Sequence, residues 1–231
     1  MHNEPMKKSI KLLIVDDHPV FRQGLRDLFE TDSRFEIVGE AADGEVALQQ
    51  TYTHRPDVVL MDINLPTENG LQVTKKIRSR HPKVKVIMIT GYDDAEQAIY
   101  AFQVGASAYC SKDIPPEALI NTVKEAYKGN FVVNNRVMND TELAAWLDSR
   151  MERYNKAGGK KFVPLSSREM EVLEMVTNGL NNKDVATSLG ISHQTVKNHM
   201  TTIMRKLQVN DRTQAAVYAI QHGWIRLENN N

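Results

Sequence analysis

Residues 58–66 read Val58-Val59-Leu60-Met61-Asp62-Ile63-Asn64-Leu65-Pro66, "VVLMDINLP". Four consecutive apolar residues predict a strand buried on both faces, as in a parallel sheet. The run then meets a carboxylate, and Pro66 stops the element from continuing. A buried strand has no use for a terminal Asp unless that group stands at an exposed edge or has chemistry to do there. Working outward, four more short β-rich runs are present: Lys11–Val15, Glu36–Ala41, Lys85–Ile89 and Ala108–Cys110. Helical stretches alternate with them, at Val20–Glu30, Glu45–His54, Leu71–Arg80, Ala95–Val104 and Glu117–Tyr127, with Gly129 closing the last. This alternation predicts βαβ units and a doubly wound α/β domain of five parallel strands over residues 8–130.

The chain has 231 residues, 41% of them hydrophobic and 25% charged, an ordinary balance for one large or two smaller soluble domains. No apolar run approaches the roughly 18 residues of a membrane span. The opening "MHNEPMKKS" lacks the apolar core of a signal peptide, and the expectation is a cytoplasmic protein with no membrane partner. A single cysteine, Cys110, excludes an internal disulfide and any multi-cysteine metal site. Net charge is zero, but unevenly assembled. Residues 1–131 hold 16 Lys+Arg against 19 Asp+Glu, whereas residues 160–231 hold 9 against 6. The back of the chain therefore suits a polyanion better than the front.

Residues 131–161 read as a linker with one amphipathic helix over Thr141–Asn155, and Gly158-Gly159 as a flexible break. Four helical stretches follow over residues 162–226 with no strand signal: Ser167–Thr177, Lys183–Leu189, Thr195–Leu207 and Thr213–Gln221. The closing "ENNN" reads as frayed.

In an open parallel α/β sheet, ligands bind at the carboxyl ends of the strands. Here those ends carry Asp16-Asp17, Asp62, Thr90 and Ser111-Lys112. Converging carboxylates repel one another and call for a cation, and hard oxygen ligands suit Mg²⁺. An Asp beside a divalent ion, with a lysine opposite, is a plausible nucleophile toward phosphorus. Two enzyme readings fit less well. A dehalogenase-type aspartyl-phosphate hydrolase wants a second carboxylate two residues after the nucleophile, where this chain has Asn64. A nucleotide-binding domain wants a Gly-rich first turn, where this chain has "DDHPVFRQG". His18 precedes Pro19 at the start of a helix and reads as a helix N-terminal residue rather than a metal ligand. Cys110, Met61 and Met88 read as core.

In the basic tail, Asn181 or Asn182 caps a short helix that Gly190 ends, and Ser192 caps a second helix starting near His193. Val185, Ala186 and Leu189 can share an apolar face with Val196, Ile203 and Leu207. Two helices joined by a short Gly-containing turn read either as a helical hairpin with a solvated face or as a helix-turn-helix. In the latter, the second helix enters the DNA major groove. The outer face of that helix carries Lys197, Asn198, Thr201 and Arg205, of which lysine suits guanine acceptors and asparagine suits adenine.

Two resemblances sharpen these readings. "LLIVDDHPVFRQGL", "PDVVLMDINLPTENGLQV", "VKVIMITGYDD" and "GASAYCSKDIPPEAL" resemble a response-regulator receiver domain, a flavodoxin-like fold. The resemblance implies Asp62 as phospho-acceptor and Asp16, Asp17 and Asp62 with the Asn64 backbone carbonyl as the Mg²⁺ site. It further implies Thr90 and Tyr109 as a switch pair, with Tyr109 turning inward, and Lys112 as the phosphate-binding lysine. "LSSREMEVLEMVTNGLNNKDVATSLGISHQTVKNHMTTIMRKLQVNDRTQAAVYA" is similar to the LuxR-type helix-turn-helix. That similarity implies base contacts from Lys197, Asn198 and Thr201, although several relatives carry Lys at the Thr201 position. Phosphate contacts would come from Lys183, Ser192, Thr195, Arg205 and Lys206. Thr213, Ala216, Val217 and Ile220 form an apolar face that suits dimerisation or core packing equally.

Together the two identify the chain as similar to NarL/FixJ-type response regulators. The implied protein is a transcription factor and not an enzyme, with only slow self-dephosphorylation. Its partners would be a histidine kinase, double-stranded DNA, RNA polymerase and a second copy of itself. The alternatives are a DNA-binding regulator that ignores phosphorylation and a receiver-based adaptor.

Overall fold

Val58–Asp62 forms strand β3, and all five residues are buried. Its neighbours are as apolar: β1 (Ile10–Val15) lies on one side and β4 (Lys85–Thr90) on the other. With β2 (Phe35–Ala41) and β5 (Ala108–Ser111) they pair in parallel in the order β2-β1-β3-β4-β5. The structure, a computed structural model, describes residues 9–66, 68–91, 95–158, 165–222 and 224–225. The N-terminal segment, Gly159 of the expected break and the closing tail lie outside these residues. Among the described residues, no helix is long and apolar enough to cross a membrane.

Side chains two apart along a strand share a face. Leu12, Ile14, Val58, Leu60, Ile87, Ile89 and Cys110 pack on Leu25 and Phe29 of α1 (Pro19–Glu30) and on Leu119, Val123 and Ala126 of α5 (Pro116–Lys128). The alternate residues Leu13, Val59, Met61, Val86 and Met88 are also buried. On their face Thr74 of α3 (Gly70–Arg80) donates its hydroxyl to Met88 Sδ at 3.1 Å, and α3 contacts α2 (Gly44–His54). Cover on both faces is what lets these strands be apolar throughout. Helix α4 (Ala95–Gln103) completes the set.

The sheet is two strands wider than the five expected. Residues 131–138, expected to open a linker, form the hairpin β6 (Phe131–Val133) and β7 (Arg136–Met138). Strand β6 pairs in parallel with β5, and β7 returns antiparallel. The turn is Asn134-Asn135, with φ of 45° and 67°, the left-handed conformation that a two-residue hairpin needs and Asn tolerates. Phe131 meets Phe102 edge-on at 6.2 Å, fastening the hairpin to α4. Three-residue strands are too short to show alternation, so the Asn-Asn turn was the usable signal. Helix α6 (Asp140–Gly158) follows, with Gly158 as its last residue rather than part of a break. Asn139 and Glu142 exchange side-chain-to-backbone hydrogen bonds at its start, both 2.9 Å.

The chain divides into two compact units near Ala145. The second contains α7 (Ser167–Thr177), α8 (Asn182–Leu189), α9 (His193–Leu207) and α10 (Arg212–Gln221). Each begins with a side-chain cap, from Ser166, Asn181, Ser192 and Asp211 respectively. Such caps contribute about 1 kcal/mol apiece. Leu173, Val185, Val196, Ile203 and Ala215 are fully buried at its centre.

One glycine fixes where β3 ends. Gly70 opens α3 against the strand, its N–H donating to the Ile63 carbonyl at 2.8 Å. A Cβ there would lie 2.0 Å from the Asp62 carbonyl oxygen. Gly70→Ala is therefore expected to cost about 1–3 kcal/mol, the usual range for overpacking. Urea unfolding beside the wild type measures it, and an unchanged midpoint would show that α3 simply shifts.

Candidate functional site

Strand register brings the expected pocket together. Val15 pairs with Met61, so Asp16 and Asp62 follow side by side at the strand ends. Asp62 is opposite Ile89, one residue before Thr90, and Thr90 is opposite Ser111. The Lys112 N–H donates to the Thr90 carbonyl at 2.7 Å, which turns the lysine across the sheet edge. Its ammonium lies 2.7 Å from Asp16 Oδ2 and 2.8 Å from Asp62 Oδ2. It also lies 4.7 Å above the Phe21 ring, a cation–π contact from α1. Asp16 and Asp62 are 1% and 2% exposed. Asn64 donates its backbone N–H to Asp62 Oδ1 at 3.2 Å.

His18 was set aside in the sequence, and the structure brings it into the cluster. It stands at the N-cap of α1 without capping it through its side chain. Its Nδ1 is 2.7 Å from Asp17 Oδ1, 3.3 Å from Asp16 Oδ1 and 3.5 Å from the Lys112 ammonium. Asp16, Asp17, His18 and Asp62 each place a ligand atom within 4.8 Å of the others. Three carboxylates in that space are a donor set that fits Mg²⁺.

Thr90 is fully buried, diagonal to Tyr109 on the adjacent strand. Tyr109, expected to turn inward only after a change at Asp62, is already buried at 1% exposure. Cys110 lies in the core, and burial pushes its thiol up to about 12, which leaves it unreactive at neutral pH.

In the second unit, Gly190 takes φ of 63° to end α8, and the Ser192 hydroxyl accepts from the Thr195 N–H at 3.0 Å to start α9. Lys197, Asn198, Thr201 and Arg205 are exposed on α9, as are Lys183 of α8 and Ser192. Thr195 is half-buried. Lys206 does not fit its expected place on DNA phosphate. Its ammonium turns inward to Glu169 Oε2 at 2.7 Å, because Glu169 is buried and needs a cation. Glu169 also accepts from the Ser166 N–H at 2.6 Å in a capping box. On α10, Ala215 and Ala219 face the core, while Val217 is 44% exposed.

Residues 12–124 match the family "Response regulator receiver domain", and residues 163–219 match "Bacterial regulatory proteins, luxR family". The transcriptional regulatory protein DegU of Brevibacillus brevis is 34% identical over 235 residues, 98% of this chain and all of that protein. The chain belongs to the response regulators. Its domain pair is that of the NarL/FixJ type, a receiver followed by a LuxR-type DNA-binding domain. The uncharacterized transcriptional regulatory protein YhcZ of Bacillus subtilis is 38% identical over 92% of this chain and 96% of its own. Among solved structures, RcsB of Salmonella enterica serovar Typhimurium, bound to a promoter in the presence of phosphomimetic BeF₃⁻, shares the fold. Its TM-score is 0.67 at 21% identity, covering 91% of this chain and 98% of that one.

The receiver pocket is electrostatically unsettled. Burial, helped by the Asp16 carboxylate, pushes Asp62 above the ordinary carboxylate value, against the pull of Lys112. Burial works to lower Lys112, but Asp62 and Asp16 outweigh it and hold the ammonium above its usual value. For Asp62 the sign of the linkage is clear. A raised folded-state pKa stabilises the protonated form, so stability falls as pH climbs past the unfolded value of about 4. In chelator, Asp62→Asn should therefore melt higher than the wild type at neutral pH, with the gap closing near pH 4. Calorimetry across that range checks it. A gap that widens on acidification would mean that Lys112 dominates.

Proposed function

We propose that this response regulator is a cytoplasmic transcription factor switched by phosphorylation of Asp62 from a partner histidine kinase. In this reading it is a stoichiometric phosphoryl acceptor rather than an enzyme. The observation that carries the reading is the single ammonium of Lys112 shared between two buried carboxylates at the strand ends. Asp62 is buried at the end of β3, with its carboxylate 2.8 Å from the Lys112 ammonium.

An Asp62 oxygen forms the new P–O bond as the P–N bond to the kinase histidine breaks. Asp16, Asp17, Asp62 and the Asn64 backbone carbonyl would hold Mg²⁺, which would supply positive charge for the transferring phosphoryl group. Lys112 then has a phosphoryl oxygen to donate to. The Thr90 hydroxyl, buried one register step beyond Asp62, hydrogen-bonds another. That movement changes the surroundings of Tyr109, a local charge event that biases a two-state element.

The second domain binds DNA with α9 in the major groove. Lys197, Asn198 and Thr201 face base edges, and Lys183, Ser192, Thr195 and Arg205 position the domain on phosphates. A domain with so few phosphate contacts gains affinity by pairing on two half-sites, so the active form is a homodimer. RNA polymerase is the partner that transcriptional control then requires.

Intact-mass measurement tests the receiver half. With Mg²⁺ and a small phosphodonor the wild type should gain one phosphoryl group, and Asp62→Asn none. Chelation should abolish the gain, and Lys112→Ala should slow it by at least about tenfold, the loss of one charge-assisted contact. Addition to Asp62→Asn at the wild-type rate would sink the assignment.

Salt-dependent binding tests the other half. Lys197→Ala with Asn198→Ala should remove sequence preference while the helices stay folded by circular dichroism. Arg205→Ala should weaken all sequences alike and reduce the log–log salt slope by about 0.9. A slope that does not change would take Arg205 off the phosphate backbone.

A further inference from the structure

The turn that follows β1 is held by a residue of α1 that has no role so far. Asp16 donates its backbone N–H to the Ala41 carbonyl at 3.1 Å, at the end of β2. Its own carbonyl accepts from Arg22 Nη1 at 2.7 Å. The guanidinium is itself fixed, with its Nε 3.2 Å from Glu40 Oε2. Glu40 lies on β2 opposite Ile14, which packs toward α1, so its carboxylate points at that helix. There it also meets Arg26, one turn beyond Arg22, which pairs with Glu30 as well. A guanidinium only donates and is never deprotonated, so each of these bonds has one possible sense.

A peptide group is planar, so holding the Asp16 carbonyl also sets the direction in which Asp17 leaves it. The Asp16 side chain is engaged separately. Its Oδ1 accepts from the His18 N–H at 2.7 Å, and its Oδ2 faces the Lys112 ammonium at 2.7 Å. Asp17 lies beyond the end of β1, and its aim decides whether the cluster brings three carboxylates together or two. Arg22 reaches the cluster through a backbone oxygen, and its charge is met by Glu40. It therefore orders the turn without pairing with an acid of the pocket.

We propose that Arg22 is a positioning residue for the divalent-cation site: it holds the Asp16–Asp17 peptide so that the Asp17 carboxylate enters the pocket, and so sets the affinity for Mg²⁺. The inference rests on the reading of that cluster as the Mg²⁺ site beside a phospho-acceptor. Charge alone makes the opposite prediction. An arginine near three carboxylates repels an incoming cation, so removing it should tighten binding. With an ordering role, removal weakens binding instead, because the outer-shell partners that orient ligands carry much of a metal site's affinity.

The test is calorimetric titration of the full-length chain with Mg²⁺, with circular dichroism to check that each variant is folded. Arg22→Met keeps the apolar stem and removes every donor. It should weaken Mg²⁺ binding by about tenfold, the lower end for loss of an outer-shell partner. Arg26→Met removes a cation from the same helix and the same carboxylate but no bond to Asp16, and it should bind Mg²⁺ as the wild type does. Arg22→Lys keeps the charge but not the fork that spans Glu40 and the Asp16 carbonyl, so its affinity should fall between. It decides alone if Arg22→Met does not fold. Phosphorylation of Arg22→Met, read by intact mass with a small phosphodonor, should slow at limiting Mg²⁺ and recover when Mg²⁺ saturates, since the bound cation then holds Asp17 in place. Wild-type or tighter Mg²⁺ binding in the Arg22 variants overturns the proposal, as does an equal loss in Arg26→Met. So does a rate that stays low at saturating Mg²⁺, which a general loss of structure would give. A wild type that binds no Mg²⁺ would instead overturn the reading of the cluster as a cation site, and this inference with it.

Discussion

The receiver depends on one cation placed between two buried carboxylates. Asp16 and Asp62 end adjacent strands at 1% and 2% exposure, and Lys112 reaches across from β5 to within 2.8 Å of both. Without that ammonium, two negative charges would face each other out of water, an arrangement that costs several kcal/mol even after relaxation. The parallel sheet supplies the geometry. Because β1, β3, β4 and β5 run the same way, their carboxyl ends gather on one edge, and residues far apart in sequence become neighbours. Gly70 supplies the clearance, since the carbonyl of Asp62 takes the space a side chain would need.

A pocket built this way remains underneutralised. Asp17 adds a third carboxylate, and His18 stands 2.7 Å from it with its ring nitrogen. One lysine cannot satisfy three acids, and burial, with Asp16 adding to it, pushes Asp62 upward despite that lysine. Carboxylate oxygens at that density are a donor set that suits a divalent cation.

Much of this was legible in the sequence because it rests on local pattern. Apolar runs that end in Asp, Thr or Ser-Lys predict strand ends, and a parallel sheet then fixes where they meet. What escaped depended on tertiary geometry or on elements too short to have a pattern. His18 was read from its place before Pro19, correctly as the start of α1, but the ring's approach to Asp17 depends on a rotamer. Residues 131–138 carry only three residues per strand, and their pairing with β5 follows from the end of α5 returning the chain to the sheet edge. Lys206 sits on the basic helix among exposed cations, yet its direction is set by Glu169, 37 residues earlier. Tyr109 was placed on the right strand, but its buried state belongs to packing and not to spacing.

Lys206–Glu169 and Lys112–Asp62 show how similar pairs come to opposite ends. In both, a lysine meets a carboxylate that burial pushes upward. At Glu169 the push is outweighed: Lys206 and the N–H and hydroxyl of Ser166 together hold the acid below its ordinary value. The pair links α9 to α7, and its contribution is lost as acid protonates Glu169. At Asp62 a second carboxylate shares the lysine, the backbone offers one N–H at 3.2 Å, and burial wins. A satisfied pair has nothing to gain from a new charge, whereas an underneutralised one is relieved by a cation. The two acids therefore part company through depth of burial, through the second carboxylate of Asp16, and through the donors that surround each of them.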